Sequence, residues 1–109
     1  MNIVIVGLGT IGSYFYNYLN KNKNNIFDKT NTMPNILYVS ARSFNKKRDF
    51  SIPRKIWLKN YLSATKIKDV DIIVELIGGA EGPAKKLVFE ALKNKKHVVT
   101  ANKALVAKY

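Results

Sequence analysis

Cysteine is missing from this 109-residue chain, acids are scarce, and no apolar run is long. Without cysteine there is no disulfide framework, no thiolate-ligated zinc and no thiol nucleophile. The longest wholly apolar stretches reach about five residues, against the ~20 that a membrane span needs. No basic segment precedes the apolar start at Met1–Val6, so no secretion signal is read there and a cytoplasmic protein is expected. Acids number only 7 against 19 Lys and Arg, which leaves a net charge of +12.

A basic chain of this size invites a nucleic-acid or acidic-membrane partner, but such a role predicts clustered cations. Here the lysines are spread from Lys21 to Lys108, with short runs at Lys46-Lys47-Arg48, Lys85-Lys86 and Lys93–Lys96. Asparagine crowds the segment from Asn17 to Asn35. Abundant Lys, Asn and Ile together read as compositional bias on a solvated surface. No RNA-recognition, zinc-finger or KH signature is present, so nucleic acid is not the expected partner. No membrane partner is expected either.

What is present alternates. Asn2–Val6 is a short apolar run ending in glycines, as in a buried strand. Ile11, Phe15, Tyr18 and Leu19 follow at helical spacing, so a helix opens near Thr10–Gly12 and is expected to fray near Asn20–Asn25. Asn20–Asn35 reads as a loop. Ile36–Ser40 is a second strand, Ser43–Pro53 a basic loop, and Lys55–Ile67 a short helix or irregular structure. Val70–Ile77 is a third strand. Pro83 suits a first helical turn, and Ala84, Leu87, Val88, Ala91 and Leu92 continue it at i, i+3, i+4, i+7 and i+8. His97–Thr100 is a fourth strand, with His97 a structural strand-end residue, and Ala101–Tyr109 begins a further helix. This alternation predicts one α/β domain over residues 1–109. It should be a Rossmann-like parallel sheet, incomplete, in strand order 3-2-1-4 with helices on both faces. His97–Thr100 would then be an apolar edge strand.

Gly7-Leu8-Gly9-Thr10-Ile11-Gly12 is a G-x-G-x-x-G run between a strand and a helix, the context a dinucleotide fingerprint needs. Gly7 would make the tight turn, Gly9 would admit a pyrophosphate, and Gly12 would let the helix pack on the strand. Backbone N–H groups at the helix start would face the phosphates. An Asp or Glu closing the second strand binds the ribose 2′-hydroxyl of NAD, whereas an Arg suits the 2′-phosphate of NADP. This chain has Ser40-Ala41-Arg42 and no acid there. Arg42 offers a planar fork for a phosphate, and Lys46, Lys47 and Arg48 could add positive potential. NADP is therefore expected, with NAD as the alternative.

Two further motifs fall at the same sheet edge. Gly78-Gly79 closes the third strand and would allow close approach of a cofactor. Glu75, inside that strand, needs partners if buried, and is either structural or turned to the site. Thr100-Ala101-Asn102-Lys103 closes the fourth strand and brings a hydroxyl, an amide and an ammonium toward where a nicotinamide would meet a carbonyl substrate. An amine there can donate a proton or stabilise developing charge.

Together these segments resemble homoserine dehydrogenase: VGLGTIGS at Val6–Ser13, ARSFNK at Ala41–Lys46, VDIIVELIGG at Val70–Gly79, and GPAKKLVFEALKNKKHVVTANKALVA at Gly82–Ala107. ELIGG followed by HVVTANKAL is far more specific than the glycine run. The resemblance implies NAD(P)H-dependent reduction of aspartate 4-semialdehyde to homoserine, on the route to threonine and methionine. It implies pyrophosphate contacts at Gly7–Gly12, a 2′-phosphate contact at Arg42, a cofactor lining at Gly78 and Gly79, nicotinamide-side contacts at Thr100 and Asn102, and Lys103 as the active-site lysine. Members of the family are several times longer and add a substrate and dimerisation domain. These residues are therefore expected to be the amino-terminal cofactor-binding part of such an enzyme, truncated and inactive alone. A separate chain carrying the substrate domain, a gene remnant, a non-catalytic NADP-binding module and a basic nucleic-acid-binding protein are the alternatives.

Overall fold

Every residue of Ile3–Val6 is apolar because both sides of that strand are covered. Ile3 and Ile5 join one core cluster with Leu8, Tyr16, Leu19 and Val39. Val4 and Val6 join the opposite one with Ala64, Ile73, Leu87 and Ala91. A continuous apolar run, rather than an alternating one, is what a strand buried on two faces requires. The computed structural model describes residues 1–42, 44, 48, 50–77 and 82–101.

The elements in chain order are β1 (Asn2–Val6), α1 (Thr10–Thr30), β2 (Asn35–Ser40), 3-10 turns at Arg54–Ile56 and Tyr61–Lys66, β3 (Ile72–Glu75), α2 (Pro83–Lys93) and β4 (His97–Thr100). All strand pairs are parallel, in the order β2-β1-β3-β4. Residues of α1 pack on one face of the sheet and those of α2 and Tyr61–Lys66 on the other. The Rossmann-like α/β class is as expected from the alternation of elements. The order differs in one place from 3-2-1-4, because the third strand crosses back to pair with β1. Beside β2, where a third strand would lie, the described residues make a single bridge, Val39 to Trp57, with Leu58 N–H donating to the Val39 carbonyl at 2.8 Å. Tight 3-10 turns flank that bridge and stop it from growing. β4 is an edge strand as expected, and its Val99 is 55% exposed.

Two other expectations change. The helix does not fray at Asn20–Asn25; α1 runs 21 residues, to Thr30. Leu19 is buried, and Ile26, seven residues on, still packs against the same cluster, so the helical stripe continues under a polar surface. Asn costs only a few tenths of a kcal/mol more than most residues inside a helix, too little to stop a helix that is already growing. It ends where Asn31 turns left-handed at φ 58° and returns its N–H to the Phe27 carbonyl. On α2 the buried stripe is narrower than expected: Ala84, Leu87 and Ala91 are buried, whereas Leu92 is 57% exposed. The helix expected over Ala101–Tyr109 lies outside the described residues, apart from Ala101 itself, which is not helical. Among the described residues no helix is long and apolar enough to cross a membrane.

Candidate functional site

The carboxyl ends of three strands meet at one edge, the edge where open α/β sheets bind their ligands. Val6 lies opposite Ser40 on one side and Glu75 on the other. Backbone pairing runs one residue past the strands, since Gly7 N–H donates to the Ser40 carbonyl and Leu76 N–H to the Val6 carbonyl, both at 2.8 Å.

The three glycines have different reasons to be there. Gly7 sits at φ 105°, and a Cβ on it would lie 2.7 Å from the Leu76 carbonyl carbon and oxygen. A Cβ on Gly12 would lie 1.9 Å from the Gly7 carbonyl oxygen, so only glycine lets α1 seat this closely. A Cβ on Gly9 would meet nothing within 4 Å. Gly7 and Gly12 thus serve packing, while Gly9 faces open space. Gly9 is also the residue preceding α1, and it brings no capping side chain and is followed by no acid in the first turn. The first N–H groups of a helix lack intrahelical acceptors and carry the positive end of its dipole. Thr10, Ile11 and Gly12 supply them here.

A cavity of about 520 Å³ opens over this turn, well within the size range of small-molecule sites. Its lining includes Gly7–Gly9, Ser40–Arg42, Arg48, Lys59, Tyr61 and Leu76–Ile77. Arg42, Arg48 and Lys59 make it cationic, and no acid is among its described lining residues. Arg48 lies over the Trp57 ring, 5.6 Å from its centroid, and Nη1 donates to the Phe44 carbonyl at 3.3 Å. Apolar lining residues, three cations and the open first turn of α1 together fit a multiply charged anion. A dinucleotide has that character.

The structure brings Gly7, Leu8, Gly9 and Arg42 together on one cavity. Thr10, Ile11 and Gly12 form the adjoining first turn of α1. Gly78, Gly79, Asn102 and Lys103 lie outside the described residues. Thr100 does not line the cavity; its hydroxyl donates to Glu75 Oε2 at 2.5 Å. Glu75 is fully buried, and its Oε1 accepts the Ile77 N–H at 2.6 Å. His97 is exposed at the opposite end of β4. Lys59 and Tyr61 escaped the sequence reading. Both follow the Trp57–Leu58 contact with β2, and a one-residue bridge has no periodicity to reveal it.

Comparison with known proteins gives one consistent result. A family model described as "Homoserine dehydrogenase, NAD binding domain" matches residues 7–109. Homoserine dehydrogenase of Neisseria gonorrhoeae is 38% identical over 109 residues, which is all of this chain and 25% of the relative. That of Bacillus subtilis is 32% identical over 109 residues, again all of this chain and 25% of the relative. The crystal structure of S. aureus homoserine dehydrogenase at pH 7.5 superposes with a TM-score of 0.86 at 37% identity, covering 96% of this chain and 27% of that one. A homoserine dehydrogenase structure from Thiobacillus denitrificans gives 0.85 at 34% identity, covering 100% of this chain and 25% of that one. The chain thus spans about a quarter of the length of the curated relatives it matches.

Proposed function

This chain belongs to the homoserine dehydrogenase family, as part of its NAD-binding domain, and on that premise we propose that its cavity holds NADP in preference to NAD. The observation that carries the reading is the single cavity joining the Gly7–Gly9 turn to Arg42 and Lys59. The open side of Gly9 leaves room for a pyrophosphate against the first N–H groups of α1. Arg42, closing β2 where an NAD site carries an acid, would fork onto the 2′-phosphate, with Lys59 adding charge from the facing turn.

The whole-enzyme activity we propose is the family's, NAD(P)H-dependent reduction of aspartate 4-semialdehyde to homoserine. The bound dinucleotide would supply the hydride; these residues bind it, orient it and set the local field. Gly78 and Gly79 would line it, and Asn102 would approach its nicotinamide side. Lys103 is proposed to hold a proton at the substrate oxygen. Substrate recognition is assigned to the larger part of the relatives that these residues do not match, so the 109-residue chain by itself is expected to bind cofactor without oxidising homoserine.

Fluorescence titration of the chain with NADPH and NADH tests the reading. NADPH should bind more tightly. Arg42→Ala should weaken NADPH about tenfold or more, as loss of a charge-assisted hydrogen bond does, and leave NADH within about twofold. Tighter NADH, or equal loss of both, refutes the role of Arg42. Failure of the folded chain to bind either refutes the cofactor site.

A further inference from the structure

Glu75 is the one acid in the core of a strand otherwise built from Ile72, Ile73 and Val74. An apolar side chain would continue that strand without the desolvation a carboxylate suffers. What the carboxylate does instead is join two chain exits. Oε1 holds the Ile77 N–H, two residues beyond β3's last residue, and Oε2 holds the hydroxyl of Thr100, the last residue of β4. The backbone adds to the tie, with Thr100 opposite Glu75 in the ladder and the Ala101 N–H reaching the Glu75 carbonyl at 3.4 Å. The Leu76–Ile77 peptide fixed this way is the one against which Gly7 is pressed, and both residues line the cavity.

We infer that Glu75 is a positioning residue for the dinucleotide: with Thr100 it clamps the exit of β3, whose Leu76 and Ile77 line the cavity, to the exit of β4. This rests on the dinucleotide reading above. Charged acceptors make shorter and stronger hydrogen bonds than neutral ones, which is why an acid suits a clamp better than an amide. Leu76 and Ile77 follow β3 and Arg42 follows β2, with β1 between them in the sheet, so the clamp should matter to a ligand that reaches the β3 exit and not to one confined to the β1 and β2 exits.

Two probes separate these cases: NADPH, and 2′,5′-ADP as its adenosine half. Thr100→Val keeps the side-chain shape and removes the hydroxyl. It should weaken NADPH about tenfold and leave 2′,5′-ADP within about twofold. Thr100→Ser restores the hydroxyl and should restore NADPH affinity. Glu75→Gln should weaken NADPH in the same selective way, and the double variant should be no worse than Thr100→Val alone. Equal losses for both probes would mean a merely structural role and would overturn the inference, as would no loss at all. Multiplied losses in the double variant would mark a direct contact from Thr100 and would also overturn it. Should Glu75→Gln not fold, the Thr100 pair still decides, because failure of the serine rescue overturns the clamp. If the wild-type chain binds neither probe, the dinucleotide reading is refuted and the clamp falls with it.

Discussion

Gly9 and Gly12 are three residues apart and should respond to the same substitution in opposite ways. An alanine methyl at Gly12 would overlap the Gly7 carbonyl oxygen at 1.9 Å. The overlapped atom is backbone, so α1 must move off β1. Overpacking of this kind costs about 1–3 kcal/mol, and Gly12→Ala should lower the urea midpoint accordingly. Gly9 sits at φ −72°, which alanine adopts freely, and its methyl would point into open space. Gly9→Ala should leave stability unchanged or raise it by up to about 1 kcal/mol through the unfolded state. The same methyl would occupy the pyrophosphate's approach, so NADPH affinity should fall while stability does not. Parallel urea melts and NADPH titrations on the two variants check both halves. The motif was legible in the sequence because its spacing sits between a strand and a helix. Which glycines serve packing and which one faces open space emerges only from the distances.

At the scale of elements, legibility followed how strongly each segment is patterned. β1 and α2 carry dense apolar signals, and their positions match the expectation. α1 past Asn20 does not match, and the span Arg54–Lys66, read as a short helix or irregular structure, is two 3-10 turns about a single bridge. The first is a helix whose late turns keep only Ile26 against the core, so its polar residues looked like a loop. The second is held by tertiary contacts, Trp57 on Val39 and Ala64 in the core, with no period of its own. Lys59 of the cavity lies in that span, so the part of the site hidden from sequence is the part built by irregular structure. A lysine at the far end of the sheet shows the same lesson. Lys96 looks like one more surface cation, yet its Nζ donates to the carbonyls of Ile67 at 2.6 Å and Val70 at 2.8 Å. It ties the entry to β4 to the entry to β3. Lys96→Met should cost about 1–3 kcal/mol, since it takes the ammonium donor from the part-buried Val70 carbonyl and leaves the Ile67 carbonyl only the Val70 N–H at 3.2 Å. Lys93→Met, on an exposed turn of α2, should stay within about 0.5 kcal/mol. Chemical denaturation of the two variants distinguishes a structural lysine from a solvated one.

Across the whole molecule the net charge of +12 acts as a field. Most of its cations lie outside the cavity, where they attract any anion without selecting one. Arg42, Arg48 and Lys59 line it. NADPH carries one phosphate more than NADH, so both parts of the field favour NADPH, but salt separates them. The screening length is about 10 Å at 0.1 M ionic strength and about 3 Å at 1 M. At the lower salt the distant lysines still reach into the cavity; at the higher salt only groups in contact with the ligand do. Raising salt from 0.1 to 1 M should therefore weaken both cofactors, NADPH more steeply, and reduce the NADPH-to-NADH affinity ratio several-fold. A preference for NADPH should survive at 1 M, because the guanidinium of Arg42 would touch the 2′-phosphate directly. In Arg42→Ala that residual preference should vanish, while the salt-sensitive part persists. Titrations of both cofactors at the two salts, in the wild type and this variant, read the two contributions apart. A ratio that falls to one at high salt in the wild type would mean that the preference belongs to the overall charge and not to a built phosphate site.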